Sequence, residues 1–245
     1  MSFKLSRKSV DIIQNLASIE PSMIIVEGNE QASSSMTAKV YATAKLPDTI
    51  DATFGMYNIN DLLTHFKLFD ESDFELDFNK NNNIIRIYNE FASVDVHTSD
   101  RNMIAEPRIG QSIGEDQYDI VFNIPNDMLY KMNEFIKVVG TDVIAFVKRD
   151  DDTHLRIEGY DYNNLKECHL KGYPERPIWH RRLKEFDGES FKYFARMNFK
   201  IFDGDYEVRI RQFLGRRGEK SDQLNRGRPP AIQFDGEFIR YAITY

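Results

Sequence analysis

An α+β protein built from two copies of one domain is the fold class this sequence predicts, and three observations predict it. Amphipathic helical stretches alternate with longer β-rich segments of period two. The order strand, helix, several strands, short helix, three strands occurs twice along the chain. A Pro- and Gly-bearing span of mixed charge separates the two occurrences. The 245 residues suffice for two modest domains at about 100 to 200 residues each. The predicted division is a first domain at 1–100, a linker at 101–116 and a second domain at 117–245. A repeat of about 115 to 130 residues is far longer than the unit of a solenoid or propeller. It therefore points to two α+β domains, each an antiparallel sheet with two helices on one face.

The first helix opens at Ser6, whose hydroxyl can cap it, and runs to Ile19 before Pro21. Val10, Ile13, Leu16 and Ala17 fall on one face, and Arg7, Lys8, Asp11, Gln14, Asn15 and Ser18 on the other. Strands follow at Met23 to Glu27, Ser35 to Ala44 and Ile50 to Tyr57, with Gly28 and Pro47 as punctuation. A second helix spans Asn58 to Phe69, its apolar side made by Leu62, Leu63, Phe66 and Phe69. Three strands then fit Phe74 to Phe78, Ile84 to Tyr88 and Ala92 to Thr98, with an Asn-rich turn between the first two.

After the linker, a strand at Tyr118 to Ile124 leads to Pro125, a residue suited to the first helical position, and to a helix ending at Val139 before Gly140. Met128, Leu129, Met132, Phe135 and Ile136 repeat the apolar offsets of the second helix. Strands are predicted at Val143 to Lys148 and Leu155 to Tyr160, joined by the acidic turn Asp150 to Asp152, then at Lys166 to Gly172 and Phe191 to Arg196. A short helix at Met197 to Phe202 precedes strands at Tyr206 to Phe213, Ile232 to Phe234 and Phe238 to Thr244.

Composition narrows the function. With 32 Lys+Arg against 39 Asp+Glu the net charge is −7, which argues against binding nucleic acid by bulk charge. The single cysteine, Cys168, excludes an intrachain disulfide and a multi-cysteine zinc site and fits a reducing compartment. No apolar run reaches the length of a membrane span and no signal peptide is visible, so a soluble, cytoplasmic protein is expected.

Catalysis would require a constellation of reactive side chains. His65, His97, His154, His169 and His180 include no pair at the i, i+4 spacing of a zinc helix, and no metal site is expected. Asp150 to Asp152 lacks the ligand spacing of a calcium loop and reads as a hairpin turn. There is no nucleophile elbow, phosphate loop or dinucleotide fingerprint. Cys168 and His169 are adjacent on a predicted strand and so point to opposite faces. No catalytic residue and no cofactor are predicted.

The polar helix faces carry more information. Arg7 and Lys8, with Lys4 just before them, Lys67, Lys131 and Lys137, and Lys200 give each predicted helix a cation on or beside its outward side. Solvation of an amphipathic helix accounts for that placement equally well. Met by phosphates, such side chains hold without reading sequence.

The chain resembles the sliding clamps of large tailed bacteriophages, the DNA polymerase processivity factors. The resembling stretches are Phe3 to Ile19, Thr49 to Leu63, Pro125 to Val147, Ile157 to Gly159, Asn198 to Val208 and Phe234 to Glu237. They are collinear across both halves, while Pro174 to Ser190 and Gly215 to Pro230 stand out as insertions. The resemblance implies two similar DNA-clamp domains per subunit, assembled as a homotrimer ring around duplex DNA, with helices lining the hole and sheets on the rim. It implies loading by an ATP-driven clamp loader, tethering of the replicative DNA polymerase by a tail peptide, and a part in late transcription with a sigma-type factor.

Ring closure would pair sheet edges, expected at Ser93 to Thr98, with Val94, Val96 and Thr98, and near Lys166 to Leu170, with Cys168 and Leu170. A tail peptide needs an exposed apolar pocket. Met103, Ile104, Ile109 and Ile113 of the linker, and Ile239, Tyr241 and Ile243 of the last strand, are the candidates. Two other classes stay open on the residues alone. One is a metal-dependent nuclease using Asp70, Glu71 and Asp73 or Asp150 to Asp152; the other is an adaptor with the same duplicated fold.

Overall fold

A computed structural model describes residues 2–35, 39–69, 74–79, 83–107, 118–171, 174–197, 199–211 and 230–244. The chain divides into two compact units. The first comprises Met1–Ser35, Tyr41–Gln111 and Phe238–Arg240, the second Met36–Val40, Ser112–Glu237 and Tyr241–Tyr245.

In the first unit the order is β1 (Ser2–Phe3), α1 (Arg7–Ile19), β2 (Met23–Ile25), β3 (Gly28–Ser35), β4 (Val40–Ile50), β5 (Phe54–Met56), α2 (Ile59–Phe66), β6 (Glu75–Asn79), β7 (Ile84–Tyr88) and β8 (Ser93–His97). One antiparallel sheet has the order β1-β6-β7-β8; β2 pairs with β5, and β3 lies beside β4. Helices α1 and α2 pack together. Leu16, Ile59, Leu76, Ile85 and Ile87 are fully buried, and each such side chain removed from water contributes about 1.5 to 3 kcal/mol. Phe74 stacks on Phe66 at 5.0 Å and tilts against Phe69 at 5.9 Å, closing the end of α2. The expected strand Ser35 to Ala44 instead straddles the end of β3 and the start of β4. Pro47 lies inside β4 rather than ending it, and the expected strand Ile50 to Tyr57 is split between β4 and β5. Asn15, expected on the wet face of α1, is buried.

The second unit runs β9 (Ile120–Ile124), α3 (Asn126–Val139), β10 (Val143–Lys148), β11 (His154–Tyr160), α4 (Tyr162–Lys171), β12 (Trp179–Glu185), β13 (Phe191–Arg196), β14 (Tyr206–Arg211), β15 (Ala231–Gly236) and β16 (Ile239–Thr244). One sheet is ordered β12-β11-β10-β13, and in another β16, β15, β14 and β9 are neighbours in that order. Pro125 is the N-cap residue of α3 rather than its first helical position, and Gly140 ends the helix at φ 72°, a left-handed conformation open to glycine at little cost.

Two predicted elements of this unit are corrected. Residues 166 to 171 are helical, not a strand, because Asp161 caps α4. Its Oδ1 accepts from Asn164 N at 2.8 Å and its carbonyl from Leu165 N at 3.0 Å. Leu165 then packs in the cluster of Val143, Ala145, Val147 and Tyr160. Trp179, stacked on Phe135 of α3 at 4.9 Å, lies over Gly159, whose register partner is Ile144. Side chains alternate along β10, so α3 and α4 cover opposite faces of this sheet. The second correction is that Met197 to Phe202 forms no helix among its described residues. Its backbone is held from outside instead: Ile201 N donates to Asn133 Oδ1 and Asn133 Nδ2 to Ile201 O, while Phe202 N donates to the Tyr241 hydroxyl. A further strand, β12, occupies part of the span read as an insertion, Pro174 to Ser190, and pairs with β11. Gly215 to Pro229 lies outside the described residues.

Candidate nucleic-acid interface

The outward stripes of the helices are the surfaces with chemistry to test. On α1, Arg7, Asp11, Gln14 and Ser18 follow one another at helical spacing, and Arg7 Nε pairs with Asp11 at 3.1 Å. Lys8 is half-buried, with its ammonium 4.6 Å from the centre of the Phe238 ring. The helix is held at its start by Asp48 of β4, which accepts from Ser6 N at 2.6 Å, Ser6 Oγ at 2.5 Å and Ser9 Oγ at 2.7 Å. Burial opposes the charge on Asp48, but these three donors outweigh it and hold the carboxyl below its usual range. A fixed anion thus sits at the positive end of α1, its orientation set by a strand.

On α2 the exposed residues are Asn60, Asp61, Thr64 and, just past the helix, Lys67. On α3 the stripe reads Asp127, Tyr130, Lys131, Glu134, Lys137 and Val138, all exposed, with Lys131 Nζ 3.9 Å from Asp127. The two cations of that stripe are therefore balanced by two acids. Such exposed pairs are worth about 0 to 1 kcal/mol, so a phosphate can replace the carboxylate at little cost. The surface these helices offer would attract a polyanion weakly and without a preferred register.

Of the remaining expected cations, Lys4 precedes α1 and pairs with Glu75 of β6 at 3.2 Å. Lys200 is not on a helix; it lies in the loop that Asn133 holds and pairs with Asp203 at 3.0 Å. Sequence reasoning missed Lys166 and Lys171 of α4, whose helical spacing was hidden by the strand reading; Lys171 pairs with Glu167.

The expected peptide residues are mostly not surface residues. Ile104 is buried, and its Cδ1 lies where a Cβ on Gly55 would stand, so the start of the linker is clamped onto β5 by close approach. Ser99 N donates to Gly55 O at 2.8 Å in the same contact. Ile239, Tyr241 and Ile243 are core residues of β16. The exposed-pocket reading of Ile104, Tyr241 and Ile243 is corrected accordingly: alternating apolar residues there face a core rather than a groove. Met103 alone of the described linker candidates is exposed, while Ile109 and Ile113 lie outside the described residues.

For the sheet edges, β8 does end its sheet, with Val96 buried, Val94 half-buried and the Thr98 hydroxyl donating to Asn83 O at 3.0 Å. Cys168 and Leu170 belong to α4 and form no strand edge; the edges of the second unit's corresponding sheet are β12 and β13.

The acidic turn is structural. Asp152 accepts from His154 N at 3.1 Å and pairs with Arg156, tying the β10–β11 hairpin shut. Among the described residues no group of three or more His, Cys, Asp or Glu side chains could hold a metal ion; Asp70, Glu71 and Asp73 lie outside them. No helix is long and apolar enough to cross a membrane among the described residues.

No protein-family model matches the chain. It is 25% identical over 209 residues to the sliding clamp of Escherichia phage RB69, covering 84% of this chain and 86% of that one. It is 22% identical over 243 residues to the sliding clamp of Enterobacteria phage T4, covering 98% and 96%. Among solved structures, the C-terminal region of FEN-1 bound to A. fulgidus PCNA contains a chain matched with a TM-score of 0.61 at 12% identity, over 99% of this chain and 97% of that one. That likeness fixes the fold.

Proposed function

We propose that this chain, a sliding clamp of the bacteriophage type, closes into a ring of three copies around duplex DNA and tethers the replicative DNA polymerase for processive synthesis. The observation that carries the reading is collinear similarity to two phage sliding clamps across both units, joined to a clamp fold. The helix stripes agree with it: cations interleaved with acids grip nothing and let a ring slide. Retention then comes from topology, and no catalytic role is assigned to any residue.

Copies join, in this proposal, through the β8 edge of one and the β12 edge of the next. The choice of β12 over β13 rests on the number of cations. Arg181, Arg182 and Lys184 crowd β12, opposite in sign to Glu90 beside β8 and to Asp95 within it, the latter shared with Arg86 of β7 at 2.7 Å. On β13, Lys192 is committed to Glu175 at 2.5 Å and Arg196 to the Tyr162 ring. An ATP-driven loader opens the ring, a polymerase tail peptide and a late-transcription sigma-type factor dock on it, and Met103 is the residue offered to the peptide.

Two measurements test the reading. Mass in solution should correspond to three times 28.7 kDa. After loading, the protein should stay on closed circular DNA and leave when that DNA is cut. Equal residence on circular and linear DNA would reject encirclement.

A further inference from the structure

Helix α4 and the segment 174–178, which leads into β12, enclose a cavity of about 550 Å³. That is the size of cavities that hold small ligands, roughly 300 to 1,000 Å³. Its floor is apolar: Leu165 and Tyr160 lie buried at its base, and Ile178 forms a wall while remaining 51% exposed. The wall is fixed before anything enters. Glu175 pairs with His169 Nε2 of α4 and with Lys192 Nζ of β13, each at 2.5 Å, and Ile178 N donates to Gly159 O of β11 at 2.8 Å. A segment tied to three elements in this way adds little ordering cost when a ligand binds against it.

The polar groups lining the cavity differ in their commitments. Asp161 accepts from Asn164 N at the start of α4, and Glu167 is paired with Lys171. Arg176 has no partner among the described residues, and neither has the side-chain carboxamide of Asn164. With both acids engaged, the uncommitted charge is a cation. A guanidinium presents a fork of donors that matches a carboxylate, and a carboxamide donates and accepts as a peptide unit does.

We infer that this cavity binds a short peptide segment of a partner chain, with an apolar side chain against Leu165 and Ile178, a carboxylate on Arg176 and a peptide unit on Asn164. The site is separate from the helix stripes described above. Because α4 covers the face of its sheet opposite α3, a chain seated here leaves α3 uncovered.

Cys168 also lines the cavity and is the single cysteine of the chain, so its alkylation reports on occupancy. The probes are acetyl-Leu-Glu-amide, with the carboxylate on a side chain, acetyl-Ala-Leu, with it at a chain end, and the uncharged acetyl-Leu-Gln-amide. Binding to the full chain is read by saturation-transfer NMR, and its place by the rate at which iodoacetamide modifies Cys168. At least one carboxylate probe should bind at millimolar concentration and slow that rate severalfold; which of the two does so tells an internal acidic residue from a chain terminus. The uncharged probe should do neither at the same concentration. Arg176→Gln should weaken binding of the carboxylate probe on the order of tenfold, with thermal unfolding unchanged. Absence of binding by either carboxylate probe overturns the inference. Equal binding of the uncharged probe, binding without protection of Cys168, or binding that Arg176→Gln leaves intact overturns it as well. All of these outcomes leave the ring to be judged by mass and by residence on circular DNA.

Discussion

Asp48 is a single side chain that determines how α1 begins. It stands outside the helix, and through Ser6 and Ser9 it satisfies a backbone donor and two hydroxyls that would otherwise compete for water. Ser9 is fully buried, so removing its acceptor leaves a polar group stranded in the core. Asp48→Ala is expected to lower unfolding stability at neutral pH by about 1 to 3 kcal/mol. The pH dependence has a definite sign. Because the folded carboxyl is held below its ordinary value, its contribution is complete above the unfolded carboxylate's pKa and disappears as pH falls through the folded one. Denaturant titrations from pH 7 downward should therefore show the gap between the wild type and Asp48→Ala narrowing in the acid range; a constant gap would mean the carboxylate's charge contributes nothing.

At the scale of elements, Asp95→Pro separates the seam from the rest of the fold. Thr98 N donates to Asn83 O and Asn89 N to Ala92 O, so Val96 and Val94 spend their backbone groups on Ile85 and Ile87 of β7, while those of Asp95 face the open edge of the sheet. A proline at that outward position removes an edge donor and leaves the bonds to β7 in place, so monomers are expected by mass measurement; an intact trimer would place the seam elsewhere. Elements with a strong local signal were legible from sequence: β7 and β13 have the bounds their alternation predicts, β10 those of its unbroken apolar run, and α1 begins where Ser6 caps it. Those that rely on partners distant in sequence were not. The segment from Met197 to Phe202 has helical spacing, but Asn133 and Tyr241 satisfy its backbone from 68 and 39 residues away. The 166–171 segment carried its own signal, the Asp161 cap with Glu167 and Lys171 four apart, but with Leu165 as its one buried residue α4 has no broad apolar face to mark it as a helix. In β12 the alternation of Trp179, Arg181 and Leu183 was masked by the charges between them. The candidate cations on α1 and α3 were legible because amphipathicity places them on the surface. The peptide residues were not, since a buried strand face and an exposed groove have the same alternation.

The whole molecule combines net acidity with a proposed function that requires it to surround a polyanion. At −7, long-range repulsion from DNA is the default, and only the helix stripes offset it locally. If DNA passes beside α1 and α3, Lys8, Lys131 and Lys137 make phosphate contacts that release counterions, and the logarithm of affinity falls with the logarithm of salt by about 0.9 per contact. Replacing all three by Ala should shorten residence on circular DNA and flatten that slope, by at most about 2.7 if each meets a phosphate at all times. A smaller change is expected, because side chains already shared with Asp127 and an aromatic ring exchange partners rather than remain bound to phosphate. Folding and trimer mass should be unaffected, since the two α3 lysines are exposed and Lys8 lies over a ring at the surface of the helix. A salt slope that does not move, measured on loaded circles with the triple variant fully assembled, would remove these helices from the DNA path while leaving encirclement itself to be judged by the cut-circle test.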